Sequence, residues 1–145
     1  MRRVVVTGIG TINSTGHNVK DSFEAVVNGV CGIDAITLFD ASEFSVKIAG
    51  EVKDFDPTTV MDKKEVKKAD RFIQLGIKAA LEAMIDSGYV TQENKKVDAS
   101  IADRFGMISG SGIGGLSTIE RNSVVCETKG SRKVSPFFIP SSLAN

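Results

Sequence analysis

The sequence predicts an α/β fold in which strands and helices alternate in layers, with some of the strands paired in parallel. Three observations carry this expectation. Apolar, β-branched runs stop at glycine, amphipathic helical periods follow them, and glycine or proline punctuates the junctions. Strands separated by helices cannot be joined by tight hairpins, so a layered sheet with crossover helices is the economical arrangement. The 145 residues are 41% hydrophobic and carry 14 glycines. A chain of this length can bury roughly 70% of its unfolded surface, enough for a substantial core.

The elements follow in order. Arg3 to Thr7 is a β-branched run ending at Gly8 and reads as a buried strand and turn. Asn18 is a helix N-cap, with Asp21 three residues on as its partner. Val19, Phe23, Val26 and Val27 then repeat at helical spacing until Gly29. Cys31 to Ser45 is looser, and Lys47 to Val52 reads as a short strand. Asp56-Pro57 sets an N-cap before a proline at the first helical position. Ala69 to Ser87 carries two adjacent apolar or small rows, Phe72-Gly76-Ala80-Met84 and Ile73-Ile77-Leu81-Ile85, and should lie against the sheet. Gly88 stops it. Residues 89–104 are a polar surface excursion, and Phe105 to Ser109 reads as a second buried strand. After Gly110-Ser111-Gly112-Ile113-Gly114-Gly115, the positions Leu116, Ile119, Ser123 and Cys126 mark a further helix. Gly130 to Ser135 is a basic connection, and Pro140-Ser141-Ser142 looks like the opening of a last helix. The whole reads as part of a larger unit.

Eighteen basic residues balance eighteen acidic ones, which argues against a nucleic-acid binder. No apolar run approaches the ~20 residues that cross a bilayer, so a soluble, intracellular protein without membrane insertion is expected. One histidine and two isolated cysteines are too few for a protein-derived zinc site. A nucleophile–base pair would have to join His17 to Cys31 or Cys126. His17 sits in a polar turn with no carboxylate placed to orient it, and the cysteines read as small buried hydrophobes.

Gly110, Gly112 and Gly115 satisfy GxGxxG, which invites a Rossmann-like nucleotide site at a helix N-terminus. That reading needs an acid about 20 residues later. Lys129, Gly130, Ser131, Arg132 and Lys133 stand there instead. The alternative is a turn where backbone must approach backbone. The run from Asp62 to Arg71 holds five bases and three acids, either a solvated helix face or a docking patch that Arg132 and Lys133 would extend.

Taken in order, several segments resemble the β-ketoacyl-acyl-carrier-protein synthases. These are Val4 to Gly10, Ala49-Gly50 with Val52 to Phe55, Asp70-Arg71-Phe72-Ile73-Gln74, Gly110 to Gly115, and Ser135 to Ser142. The glycine loop and the Ser-Pro-Phe-Phe segment point to the type II elongating class. The resemblance covers the whole chain but only about the first third of a family member, an incomplete N-terminal part of the synthase domain. It implies a thiolase-like fold, a cytoplasmic homodimer, no metal or organic cofactor, and decarboxylative condensation of an acyl thioester with malonyl carrier protein. The family's catalytic cysteine and two histidines lie beyond this stretch, so no catalytic residue is expected within residues 1–145. By the same resemblance, Ile113 lines the acyl pocket and Phe138 helps close the partner subunit's pocket. Lys64, Lys67, Lys68, Arg132 and Lys133 receive the acidic acyl carrier protein. A non-catalytic dimerisation fragment is the remaining alternative.

Overall fold

The computed structural model describes residues 2–143. It contains helices α1 (Val19–Val27), α2 (Lys63–Val66), α3 (Arg71–Asp86), α4 (Ala99–Ala102), α5 (Leu116–Lys129) and α6 (Phe138–Ser142). Strands β1 (Ile33–Ala35) and β2 (Ile48–Gly50) pair antiparallel, and single 3₁₀ turns lie at Pro57–Thr59 and Ser131–Lys133. The chain folds into two compact units, drawn from Met1–Asp56 with Lys78–Lys96 and from Pro57–Ile77 with Val97–Asn145.

In the first unit, the segment around Gly8 and Gly10 runs along the later turns of α3. A Cβ on Gly8 would fall on the Ala83 carbonyl and 2.6 Å from the Ser87 nitrogen. One on Gly10 would fall on the Ala79 carbonyl and 2.7 Å from the Ala83 nitrogen. Backbone meets backbone here, which only glycine permits. Two carboxylates of α3 fix the contact: Asp86 accepts from the Ile9 N–H at 3.0 Å and Glu82 from the Thr11 N–H at 3.1 Å. Glu82 also accepts from the Val19 N–H at 2.8 Å, at the start of α1. Asn18 caps that helix as expected, its Oδ1 accepting from the Asp21 N–H at 2.8 Å. Gly29 (φ +68°) and Gly88 (φ +78°) take the left-handed conformations that end α1 and α3.

In the second unit, α5 packs on both the 3₁₀ turn at Ser131–Lys133 and α6. Its inward residues are polar: Thr118 and Asn122 are buried. The Asn122 amide donates to the Thr118 carbonyl at 2.8 Å and accepts from the Ser135 N–H at 3.1 Å. That hydrogen bond ties the chain after the basic turn to the middle of α5.

Several expectations change. Arg3–Thr7 and Phe105–Ser109 are not strands among the described residues. Neither run is part of a ladder, and Val4 (94%) and Ile108 (102%) stand exposed. The one sheet is a two-stranded antiparallel pair, so no parallel pairing is described. Such a pair cannot cover a helix; α3 is half-buried along most of its length, and its later turns lie under the glycine segment instead. The substantial core is absent too, since Ala41 and Val90 are the buried apolar residues among those described. On α1 the apolar row Phe23, Val26 and Val27 faces outward and Ser22 inward. On α5, Ser123 and Cys126 are exposed. The helix expected at Asp56-Pro57 is one 3₁₀ turn, and α6 opens at Phe138, so Pro140 sits inside its first turn, where its missing N–H costs nothing.

Candidate functional site: a basic groove beside a glycine-rich helix start

The start of α5 has no capping side chain of its own, because Gly115 occupies the N-cap position. Asp70 supplies the acceptor from 48 residues away: its Oδ2 takes the Thr118 N–H at 3.0 Å. A Cβ on Gly115 would lie 2.7 Å from that same carboxylate oxygen, so the glycine makes room for the acid. Gly114 (φ +81°) presses its α-carbon against the Ser142 carbonyl, which also accepts the Gly115 N–H at 3.0 Å. The Ser141 hydroxyl donates to the Lys68 carbonyl, fastening α6 to the chain just after α2. Asp70, the glycine pair and the two serines thus form one joint.

This joint disposes of the nucleotide reading. The positive end of α5, where a pyrophosphate would sit, already holds the carboxylate of Asp70. Gly110 and Gly112 face open space, so neither brings backbone close to anything among the described residues. Gly114 and Gly115 serve backbone packing, as the alternative reading expects.

Beside the joint lies a groove of about 350 Å³, lined by Lys67, Thr118, Arg121, Asn122, Val125, Lys133, Ser135, Phe137, Phe138 and Ser141. Three of the residues singled out from sequence, Lys67, Lys133 and Phe138, meet here. Phe138 is half-buried as the first residue of α6. Lys64 on α2 and Arg132 in the 3₁₀ turn are exposed but do not line the groove. Lys68 is engaged locally, its Nζ 2.9 Å from Glu65 and 5.7 Å from the centre of the Phe137 ring. Ile113, 69% exposed, sits in a turn closed by the Gly114 N–H donating to Ser111 Oγ at 2.9 Å. Sequence reasoning missed Arg121 and Asn122. Their signal was the spacing Thr118, Arg121, Asn122, Val125, one face of a helix.

A second groove, of about 300 Å³, lies in the first unit and includes His17, Cys31, Asp34, Glu51 and Lys53. His17 is half-buried in the bend before α1: its Nε2 pairs with the Lys53 carbonyl at 2.8 Å, and its ring meets Phe55 edge-on at 6.1 Å. Cys31 and Cys126 are both exposed, not buried as expected; the turn before β1 and the outer face of α5 leave them in solvent. The Cys31 thiol donates to the Ile33 carbonyl at 3.7 Å, and no hydrogen bond joins it to His17 among the described residues. The pair that nucleophilic catalysis would need is not formed. Asp34 is held below the usual carboxylate range by the Ala35 N–H and then by Lys53, 3.2 Å away. Glu51 is held below it first by the Thr37 hydroxyl at 2.6 Å, and also by the Thr37 and Leu38 N–H groups. Among the described residues no cluster of three or more His, Cys, Asp or Glu side chains could hold a metal, and no helix is long and apolar enough to cross a membrane.

The chain belongs to the β-ketoacyl synthase N-terminal domain family, whose model matches residues 1–145, and its fold is of the thiolase-like α/β class. It is 49% identical over 145 residues to 3-oxoacyl-[acyl-carrier-protein] synthase 2 of Vibrio harveyi, covering 99% of this chain and 33% of that protein. Against the synthase of the same name from Coxiella burnetii the identity is 44% over 144 residues, with the same coverage. Among solved structures, the ishigamide ketosynthase/chain length factor superposes with a TM-score of 0.75 at 27% identity, covering 99% of this chain and 34% of its own. A type II PKS acyl-carrier protein in complex with its ketosynthase gives 0.73 at 26%, with 99% and 37% covered. The chain therefore spans about a third of the length of the curated relatives it matches.

Proposed function

We propose that residues 1–145 are the N-terminal part of a cytoplasmic, homodimeric β-ketoacyl-acyl-carrier-protein synthase of fatty acid elongation. In that reaction a cysteine thiolate takes the acyl group from its carrier thioester and releases the carrier thiol. A malonyl thioester then loses CO₂, and its enolate attacks the enzyme-bound acyl carbonyl, displacing the thiolate and leaving a β-ketoacyl carrier protein. The cysteine and the two histidines that stabilise the enolate oxygen belong to the remainder of the synthase. The apolar surfaces left open here, such as Val4 to Val6 and Met107-Ile108, would pack against that remainder. No metal or organic cofactor takes part.

The observation that carries this reading is the groove between α5 and α6, where bases chosen by resemblance line one cavity with Phe138. In the proposal Lys64, Lys67, Lys68, Arg132 and Lys133 form the face that receives acyl carrier protein, and Ile113 and Phe138 bound the acyl chain. The test is to incubate the full-length synthase, and separately residues 1–145, with acyl- and malonyl-carrier protein while following CO₂ release and protein mass. The full-length enzyme should condense and the fragment should not; turnover with acylation at Cys31 or Cys126 would overturn the assignment. Ile113→Phe in the full-length enzyme should depress kcat/KM for long chains more than for short ones, because overpacking costs about 1–3 kcal/mol. An unchanged ratio would remove Ile113 from the pocket.

A further inference from the structure

We propose that Arg121 is the central anion-binding residue of the basic groove, acting with Lys67 and Lys133 as a three-point clamp on the carboxylates of the carrier protein, while Lys68 serves packing. The inference rests on the carrier-protein reading above and redistributes its residues. Three cations from three elements converge: Lys67 follows α2, Arg121 stands on α5, and Lys133 ends the 3₁₀ turn. Among the described residues no acidic side chain lines the groove. None of the three cations has an ion-pair partner among the described residues, whereas Lys20, Lys53, Lys68 and Lys78 each have one. Unpaired like charges gathered around a concave surface repel one another, and an incoming anion relieves that repulsion.

The groove is also built to hold its shape. Buried Asn122 fixes the approach to Ser135, and buried Ser141 fastens α6. The two polar groups of Asn122 and the hydroxyls of Ser141 and Ser135 already have partners within the chain, and the cations are the charged groups that line the groove. Of these, only the arginine fork can hold a carboxylate through two parallel hydrogen bonds; lysine offers a point charge. Lys68 differs because its ammonium is shared between Glu65 and the Phe137 ring.

The experiment uses the full-length synthase with malonyl-carrier protein and, in parallel, a malonyl-CoA donor. Arg121→Glu should raise KM for the carrier-borne substrate about tenfold, with kcat and the CoA kinetics held within about twofold. Arg121→Lys should recover part of the loss, and Lys68→Gln should change KM less than Arg121→Gln. If Lys67→Glu and Lys133→Glu raise KM but Arg121→Glu does not, the clamp is overturned while the docking face stands. If none of the three affects the carrier substrate selectively, the docking reading fails and the clamp with it. Equal losses with both donors for Arg121→Glu and Arg121→Gln would make the residue structural and also overturn the proposal.

Discussion

Helices α1 and α5 begin in opposite ways. The first carries its own cap, Asn18, which accepts from Asp21 three residues on, and it receives a second acceptor from Glu82 at the Val19 N–H. The second starts at a glycine and relies on Asp70, 48 residues earlier in the chain. One start is secured by two side chains, one local and one distant; the other takes its side-chain acceptor, among the described residues, from a distant carboxylate. The difference follows from what surrounds them. At α5 the backbone of Gly114 and Gly115 must come against Ser142 and Ser141, and a side chain at either glycine would push α6 away. Close packing there excludes a local cap, and the acid has to come from elsewhere.

The comparison breaks most severely at Gly114. Alanine would adopt a positive φ of +81° and drive its Cβ into the Ser142 carbonyl, so Gly114→Ala should cost about 2–4 kcal/mol in the full-length protein. Gly112→Ala, in the same motif but with nothing within 4 Å, should cost less than about 1 kcal/mol. Denaturant unfolding of the two variants side by side is the check. Equal losses would mean that the whole loop, and not its last two glycines, is under packing constraint.

Next in size is Asp70→Ala, which leaves the Thr118 N–H without its acceptor and should destabilise by about 1.5–3 kcal/mol, the range for hydrogen bonds to charged groups. Asn18→Ala should cost about 1 kcal/mol or less, because Glu82 still receives the Val19 N–H. Amide hydrogen exchange reads the contrast directly. Protection across the first turn of α5 should fall in the Asp70 variant, while that of α1 survives in the Asn18 variant. The reverse order would show that distant caps do not carry α5.

The same contrast decides what the sequence reveals. Asn18 and Asp21 are legible because cap and target are three residues apart, and α3 is legible because its apolar rows repeat within one element. The groove was half legible: Lys67, Lys133 and Phe138 came from resemblance, but Arg121 looked like any exposed helical charge until α5 turned the same face toward Lys133. Asp70 as the cap of α5 and Glu82 as an acceptor for Thr11 and Val19 were illegible, since pairs 48 to 71 residues apart leave no local pattern. The runs at Val4 and Met107 fail for a related reason. A strand is defined by the chain beside it, and apolar, β-branched composition records only that such a neighbour would suit it.

The smallest effect sharpens the comparison between local and distant acceptors from the other side. Glu51, next to the end of β2, accepts from the Thr37 hydroxyl and from the N–H groups of Thr37 and Leu38, fourteen and thirteen residues away. These bonds favour the ionised carboxyl, so its pKa lies below the ordinary value of 4.5. A carboxyl lowered by folding contributes stability that is full above the unfolded value. That contribution is lost as pH falls from about 4.5 through the lower, folded pKa. Glu51 is half-buried and its bonds to Thr37 and Leu38 lie near solvent, so the global effect should be slight and the local one clear. An NMR titration should place the midpoint for the Thr37 and Leu38 amides below 4.5, and Glu51→Gln should abolish that transition while leaving the amides of α5 unmoved. A midpoint at or above 4.5 would mean that the Glu51 bonds do not persist in solution, and that a distant acceptor needs the packing seen at Asp70 to hold its partner.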